Sequence, residues 1–328
     1  MNDSVMSLPS TSDSSPYHRL TGLVPREIRG AHVAIGNFDG VHRGHQAMIA
    51  RLIVQARKAG RPAVAVTFDP HPLALLRPAE LPPGLTTLRN RAQLLQACGV
   101  DAVVVLPTSW ELLRLTATEF FERIVCGQLQ AAGLVEGPNF CFGKDRGGNV
   151  TLLRQLCVQA GLTLDVIEPV TIHDQWVSSS VIRSLLQAGD VDDAVALLGR
   201  PYRLSGRVVA GAQRGATLGF PTANLADLAT VVPGPGVYAG RTEIDGRSLP
   251  AAVHIGPNPT FGEAVLKVEV HVIGYEGNLY DRVLSVDFLR RLRDTRRFDS
   301  AADLQRQLAA DIAAARGEES QPLIVWPD

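Results

Sequence analysis

The chain has 328 residues, of which 45% are hydrophobic and 20% charged, and its formal net charge is −1. That length favours two cores over one, and the composition is that of a globular protein. A near-neutral balance leaves no basic footprint for nucleic acid or an anionic membrane, and no apolar run approaches the ~20 residues that span a bilayer.

Residues 1–17 are rich in Ser, Asp and Pro, lack apolar periodicity, and are expected to form a disordered tail. They also lack the basic start and apolar stretch of a secretory signal. Cys98, Cys126, Cys141 and Cys157 share no C-x-x-C spacing, which fits reduced thiols in a cytoplasmic protein.

From Ala31 to Ile167 short apolar runs alternate with helical segments. Ala31–Ile35, Ala63–Phe68, Ala102–Leu106, Gly133–Glu136 and Leu164–Ile167 read as strands. Gln46–Lys58, Arg89–Ala97, Ala117–Gln128 and Val150–Ala160 read as helices between them. Strands separated by helices imply a doubly wound parallel sheet, with ligands beyond the carboxyl ends of the strands.

Gly36-Asn37-Phe38-Asp39-Gly40-Val41-His42-Arg43-Gly44-His45 falls at such an end. A strand, a glycine-rich turn and a helix N-terminus aim backbone N–H groups and a helix dipole at an anion. Two imidazoles three residues apart add donors, and no third ligand at metal spacing stands near them. His-x-Gly-His after a strand resembles the nucleotidyltransferase superfamily, in which these histidines hold ATP phosphates.

Three later segments should converge on the same end of the sheet. Thr67-Phe68-Asp69-Pro70-His71-Pro72 is a stiff, extended turn. Gly137-Pro138-Asn139-Phe140-Cys141-Phe142-Gly143 offers aromatics and an amide. Ser178-Ser179-Ser180-Val181-Ile182-Arg183 puts hydroxyls at a helix start with a guanidinium one turn on, which could be plain caps or a triphosphate clamp. Gly137…Gly143-Lys144 is no P-loop, because Asp145 stands where Ser or Thr should hold magnesium; Lys144–Gly148 reads as a surface loop.

Ser184–Leu198 reads as a helical linker, and beyond it the pattern changes. Arg203–Ala210, Gly236–Ile244, Ser248–Ile255, Leu266–Val272 and Arg282–Arg290 are β-branched runs between Gly, Pro, Asn and Asp turns, the pattern of an antiparallel barrel. A final helix capped by Ser300 or Asp299 should bury Leu304, Leu308 and Ile312. In Gly215-Ala216-Thr217-Leu218-Gly219-Phe220-Pro221-Thr222-Ala223-Asn224, the glycines allow close backbone approach, and Thr222 and Asn224 offer neutral oxygens of the kind magnesium accepts. Glu269 shares a strand face with Lys267 and His271, either as an ordinary solvated face or as a general base.

Together these strings resemble the bifunctional bacterial riboflavin kinase/FAD synthetase family from about Ala31 to Arg316. The glycine–histidine turn, Thr67-Phe68-x-Pro70-His71-Pro72 and Ser178-Ser179-x-x-Ile182-Arg183 match its FMN adenylyltransferase motifs. Gly219-Phe220-Pro221-Thr222-Ala223-Asn224, Ile255-Gly256-x-x-Pro259-Thr260-Phe261 and Arg293…Arg297-Phe298 match its riboflavin kinase module.

The resemblance implies a Rossmann-like doubly wound nucleotidyltransferase domain (18–186), a helical linker (187–202), an antiparallel β-barrel riboflavin kinase domain with a terminal helix (203–318), and a tail (319–328). It implies that His42 and His45 stabilise adenylyl transfer and that Ser178, Ser179 and Arg183 grip ATP phosphates. Gly36, Asn37, Phe38, Asp39, Gly40, His71 and Asn139, with Gly211, Gly215, Gly219 and Pro221 in the second domain, would contact the substrates. Thr222 and Asn224 would bind Mg2+, with Glu269 as base, and the substrates would be ATP, riboflavin and FMN.

The family pattern has Asp-Phe-Arg-Phe-Gly where this chain has Asn139-Phe140-Cys141-Phe142-Gly143, Ser-Ser-Thr where it has Ser178-Ser179-Ser180, and Asn where it has His254. A riboflavin kinase with a weak or inactive adenylyltransferase domain, and a non-catalytic flavin-binding regulator, are the alternatives. Neither nucleic acid nor membrane is an expected partner, and a homo-oligomer is left open.

Overall fold

The computed structural model describes residues 15–211, 215, 219–257 and 266–317. Nearly all-apolar strands need cover on both faces, and the first domain supplies it with helices. Its strands are β1 (His18–Arg19), β2 (His32–Ile35), β3 (Ala63–Asp69), β4 (Ala102–Pro107), β5 (Gly133–Glu136) and β6 (Thr163–Val166). All pair in parallel in the order β1-β4-β3-β2-β5-β6. Helices α1 (Arg43–Lys58), α2 (Leu73–Leu76), α3 (Leu88–Ala97), α4 (Trp110–Arg114), α5 (Ala117–Phe120) and α6 (Val150–Ala160) connect them.

The five expected strands are all present. Edge strand β1 carries two exposed polar residues and so gave no apolar signal. The expected helix over Ala117–Gln128 is α5 followed by a wider π-helical run, Phe121–Gln128. Strand order reverses between β2 and β5, so a crevice opens there at the carboxyl ends, where the glycine turn follows β2.

A small hairpin, β7 (Thr171–Ile172) with β8 (Gln175–Trp176), leads into α7 (Ser179–Ala188) and α8 (Val191–Leu198). The helical linker expected over Ser184–Leu198 is built from two helices. Gly189, at φ +88°, ends α7 in the left-handed conformation that favours glycine. Ile182, Leu186, Val191, Leu197 and Leu198 share one core with Tyr202, Leu204, Tyr238 and Phe288 of the second domain. At the same junction Val231 N–H donates to Gly84 O at 2.9 Å.

The second domain is a closed barrel of β9 (Tyr202–Val209), β10 (Ala223–Ala226), β11 (Gly236–Ile244), β12 (Arg247–Gly256), β13 (Lys267–Val272) and β14 (Val283–Arg293), in the order β10-β13-β12-β11-β14-β9. Five of these strands were expected. The sixth, β10, has four residues and only Leu225 buried, too short to show alternation. Pro259-Thr260-Phe261 and Ala216–Leu218 lie outside the described residues.

Helix α9 (Ala301–Gly317) closes the chain, with Ser300 Oγ accepting from Asp303 N–H at 3.1 Å as the expected cap. Its innermost positions are Asp311 and Ala315, while Leu304, Leu308 and Ile312 are only half-buried. The helix is turned because Asp311 accepts a forked pair from Arg293 at 2.9 and 2.7 Å, and a third bond from Gln307 at 2.8 Å. Asp311→Ala would leave a largely buried guanidinium without its carboxylate. It should destabilise the barrel by about 3 kcal/mol in urea unfolding.

Candidate active site

Between β2 and α1 the backbone enters the left-handed region three times in four residues: Phe38 at φ +48°, Gly40 at +81° and Val41 at +39°. Gly40 is required twice over, since a Cβ there would stand 2.7 Å from Leu85 Cδ1. Asp39 pins the turn from inside. Its carboxylate, 4% exposed, accepts from Leu85 N–H (2.9 Å), Thr86 N–H (3.1 Å), the Thr86 hydroxyl (3.1 Å) and Arg183 Nη2 (3.1 Å). Arg91 Nη2 lies 3.8 Å away. Thr86 Oγ1 in turn accepts from Gly40 N–H.

His42 caps α1 through Nδ1, which accepts from His45 N–H at 3.4 Å. The two imidazoles stack with centroids 3.7 Å apart, and Phe38 meets His45 edge-on at 5.2 Å. Burial, reinforced by the Arg200 guanidinium, pushes His42 down from 6.5 to about 4 despite the opposing Asp39. Burial likewise pushes His45 well down, helped by His42, Arg91 and Arg200. Both rings are therefore neutral in the free protein.

His45 Nδ1, Asn37 Oδ1, Arg91 Nε and Arg183 Nε are buried with no hydrogen-bond partner among the described residues. Buried polar atoms are rarely left so in a finished structure, and a polar ligand is what this cluster lacks.

The structure gathers most of the expected residues here. Ser179 Oγ donates to Asp39 O at 2.9 Å, while Ser178 Oγ accepts from Val181 N–H at 3.3 Å and serves as the N-cap of α7. His71 is half-buried, with Nδ1 accepting from Leu73 N–H, and burial lowers its pKa, with Arg91 adding to the effect. Thr67 Oγ1 donates to Asn37 O and accepts from Arg91 Nη1.

Asn139 is exposed in the loop after β5, and Phe140 and Phe142 stack at 5.4 Å on the core side of that loop. Of the expected surface loop Lys144–Gly148, the first four residues are exposed and Gly148 is buried against Phe142.

Sequence reasoning missed Arg91, Arg200, Thr86 and Glu136. Arg91 lies on the buried face of α3 beside Ala92 and Leu95, and a charge on an apolar stripe was the signal to follow. Glu136, fully buried at the end of β5, accepts from Ile35 N–H at 2.8 Å, and desolvation raises its pKa well above the carboxylate range. It holds the backbone of the residue that precedes the glycine turn.

The second cluster stands on the barrel wall. Asn224 of β10 lies directly opposite Glu269 of β13, which lies opposite His254 of β12. Directly paired residues share a face. Val268 and Val270 fill the core, so this row is on the opposite face from the barrel interior.

His254 Nδ1 is 3.5 Å from Glu269 Oε2. Gly211 leaves room for Asn224, whose Nδ2 would be 2.2 Å from a Cβ there, and a Cβ on Gly215 would meet Phe220 O at 2.4 Å. Gly219 takes φ +86°. Pro221 O receives the bond from His271 Nδ1 at 2.7 Å; a carbonyl only accepts, so His271 carries its proton on Nδ1. Thr222 is exposed one residue before β10.

No group of three or more His, Cys, Asp or Glu among the described residues could hold a metal. The neutral oxygens of Thr222 and Asn224 suit a hard cation that takes its remaining ligands from phosphates and water.

Residues 24–181 match the FAD synthetase family and residues 198–318 the riboflavin kinase family. A bifunctional riboflavin kinase/FMN adenylyltransferase of Pseudomonas fluorescens is 41% identical over 291 residues, 88% of this chain and 93% of that protein. The namesake proteins of Escherichia coli (strain K12) and Bacillus subtilis (strain 168) are 35% and 33% identical, over 88% and 90% of this chain and 92% and 93% of theirs. A crystal structure described as a macrolide-efflux protein from Streptococcus pneumoniae superposes with a TM-score of 0.80 at 30% identity, covering 92% of this chain and 99% of that one. No helix among the described residues is long and apolar enough to cross a membrane.

The neutral histidines set a pH dependence. His42 binds its proton at 6.5 when unfolded and at about 4 when folded. Between those values the unfolded chain holds more protons, so stability falls as pH falls, by up to about 3 kcal/mol from His42. Urea unfolding from pH 7.5 to 4.5 should show this loss, and His42→Gln should flatten it.

Proposed function

The chain belongs to the bifunctional riboflavin kinase/FMN adenylyltransferase family, and we propose that it makes FAD from riboflavin in two ATP-dependent steps at two separate sites. In the barrel, riboflavin's terminal ribityl hydroxyl attacks the γ-phosphorus of ATP, giving FMN and ADP. In the first domain, an FMN phosphate oxygen attacks the α-phosphorus of a second ATP, giving FAD and pyrophosphate. On this reading both reactions take place in the cytoplasm.

The observation that carries the first-domain reading is a charge imbalance. Arg91 and Arg183 converge on one carboxylate, Asp39, and Arg200 stands behind the same turn. A triphosphate at the N-terminus of α1 would supply the missing negative charge. His42 and His45 donate to the α-phosphate oxygens as charge builds there, and an arriving anion raises their proton affinity where burial had lowered it. Arg183, with the N-terminus of α7, holds the departing pyrophosphate. Asn37 and His71 face the same space. The packed Phe140–Phe142 pair keeps the loop after β5 in shape although Asn139 and Cys141 replace the family's charged residues.

In the barrel, Glu269 takes the proton of the attacking hydroxyl, a role worth roughly 10²–10⁴ in rate. Thr222 and Asn224 would hold Mg2+, which when bound neutralises phosphate charge. Gly211, Gly215, Gly219 and Pro221 let the backbone lie against the nucleotide.

His45→Ala should lower FAD formation from FMN by roughly 10²-fold or more and spare FMN formation, as for loss of a transition-state donor. Glu269→Ala should do the reverse. Products from riboflavin and ATP, resolved as FMN and FAD over time, read both rates; FMN alone from the wild-type chain would leave only the kinase reading standing. Thr222→Ala should raise the Mg2+ concentration needed for half-maximal FMN formation, measured by titration from metal-free buffer.

A further inference from the structure

Arg200 lies outside the β-α-β domain, two residues before the barrel begins, yet its guanidinium is spent on the glycine turn. Nη2 donates to Gly40 O at 2.5 Å, and Nη1 donates to Val41 O at 3.2 Å and Leu198 O at 3.4 Å. Gln46, on the first turns of α1, reinforces it: Nε2 donates to the same Val41 O and the same Leu198 O, each at 2.8 Å. Arg43 Nε adds a bond to Ala196 O. Nothing in the adenylyl-transfer motif itself requires contacts from a segment some 160 residues away.

The turn needs outside support. Val41 is β-branched and sits at φ +39°, a conformation that costs on the order of 1–3 kcal/mol and persists only where its surroundings over-determine it. In a trans peptide the carbonyl and the following N–H point in opposite directions. Fixing Val41 O on Arg200 and Gln46 therefore turns His42 N–H away from them, alongside the open N–H groups at the start of α1.

We propose that Arg200 is a positioning residue for adenylyl transfer, holding the Gly40 and Val41 carbonyls from behind so that the His42 N–H and ring, with the start of α1, face the phosphates. The proposal rests on reading the His42–His45 turn as the adenylyl-transfer site. It assigns a function in the first active site to the junction that opens the second domain. A planar fork that reaches three carbonyls at once is something lysine cannot reproduce, so Arg200→Lys separates geometry from charge. Charge matters as well: Arg200 and Arg183 oppose a proton on His42, Asp39 favours it, and His42 in turn opposes a proton on His45.

The test uses the full-length chain with FMN formation and FAD formation measured in parallel. Arg200→Lys should lower kcat for FAD formation by about 10-fold or more, the scale of a small misplacement of reacting groups, with FMN formation unchanged. Gln46→Met, which leaves the buried charge in place, should lower FAD formation in the same direction and decides the matter if Arg200 variants do not fold. Arg200→Met should also move the basic limb of the FAD-forming kcat–pH profile upward, because losing one cation favours protonated rings, whereas Arg200→Lys should not.

FAD formation by Arg200→Lys and Gln46→Met within about twofold of wild type would overturn the proposal, as would an equal fall in both activities that tracks the unfolding midpoint. If His45→Ala also retains FAD formation, the fault lies in the reading of the site rather than in Arg200.

Discussion

A single buried carboxylate organises the candidate site of the first domain. Charge taken out of water must be paired and hydrogen-bonded, and Asp39 meets that demand from three separate parts of the chain. Leu85 and Thr86 come from the segment before α3, Arg91 from α3, and Arg183 from α7. Because Ser179 also bonds the Asp39 carbonyl, the start of α7 is tied to the turn by both main chain and side chain. The same network reaches the barrel, since Gly84, next to Leu85, accepts from Val231 N–H and pairs with Thr230. Removing one member would leave a buried ion uncompensated, so the geometry of the turn depends on segments far from it in sequence.

That arrangement also explains the state of the histidines. Arg91 and Arg183 meet at Asp39 and Arg200 stands behind the turn, so an imidazole buried among them stays neutral. Two imidazoliums stacked at 3.7 Å would repel each other strongly in any case. A triphosphate reverses these terms, because it both shields the guanidiniums and favours charge on the rings. On the adenylyl-transfer reading the site acquires its protonation state from the substrate, while burial raises the proton affinity of Glu136 at the end of β5.

The barrel solves a different problem with less electrostatics. A short strand, β10, brings Asn224 opposite Glu269, and the register of β12 then brings His254 opposite the same carboxylate. Val268 and Val270 fix that face by burying the other one, so packing in the core determines which side chains meet on the wall. His271 anchors Pro221, which places Thr222 one residue ahead of the strand. Glycines 211 and 215 are needed because the chain folds back onto Asn224 and Phe220 more closely than a Cβ allows. Its histidine beside Glu269, where the family pattern has asparagine, is the feature that distinguishes this wall.

What the sequence made legible follows from these physics. Strands β2 to β6 and five of six barrel strands declared themselves because burial on one or both faces leaves an apolar run or an alternation. His42, His45 and Asp39 were legible because they sit in one contiguous turn whose spacing has a local reason. Arg91, Thr86 and Arg200 were not, since each acts through contacts 24 to 160 residues away, and a lone arginine looks the same whether it faces water or a buried carbonyl. Asn139, whose motif position implies contact with substrate, is exposed in the loop after β5 while Phe140 and Phe142 pack inward. Local strings report where a backbone turns and what it carries, but a buried charge network closes only in three dimensions. In this chain the closing groups come from both domains, and Arg200 reaches the glycine turn from the junction between them.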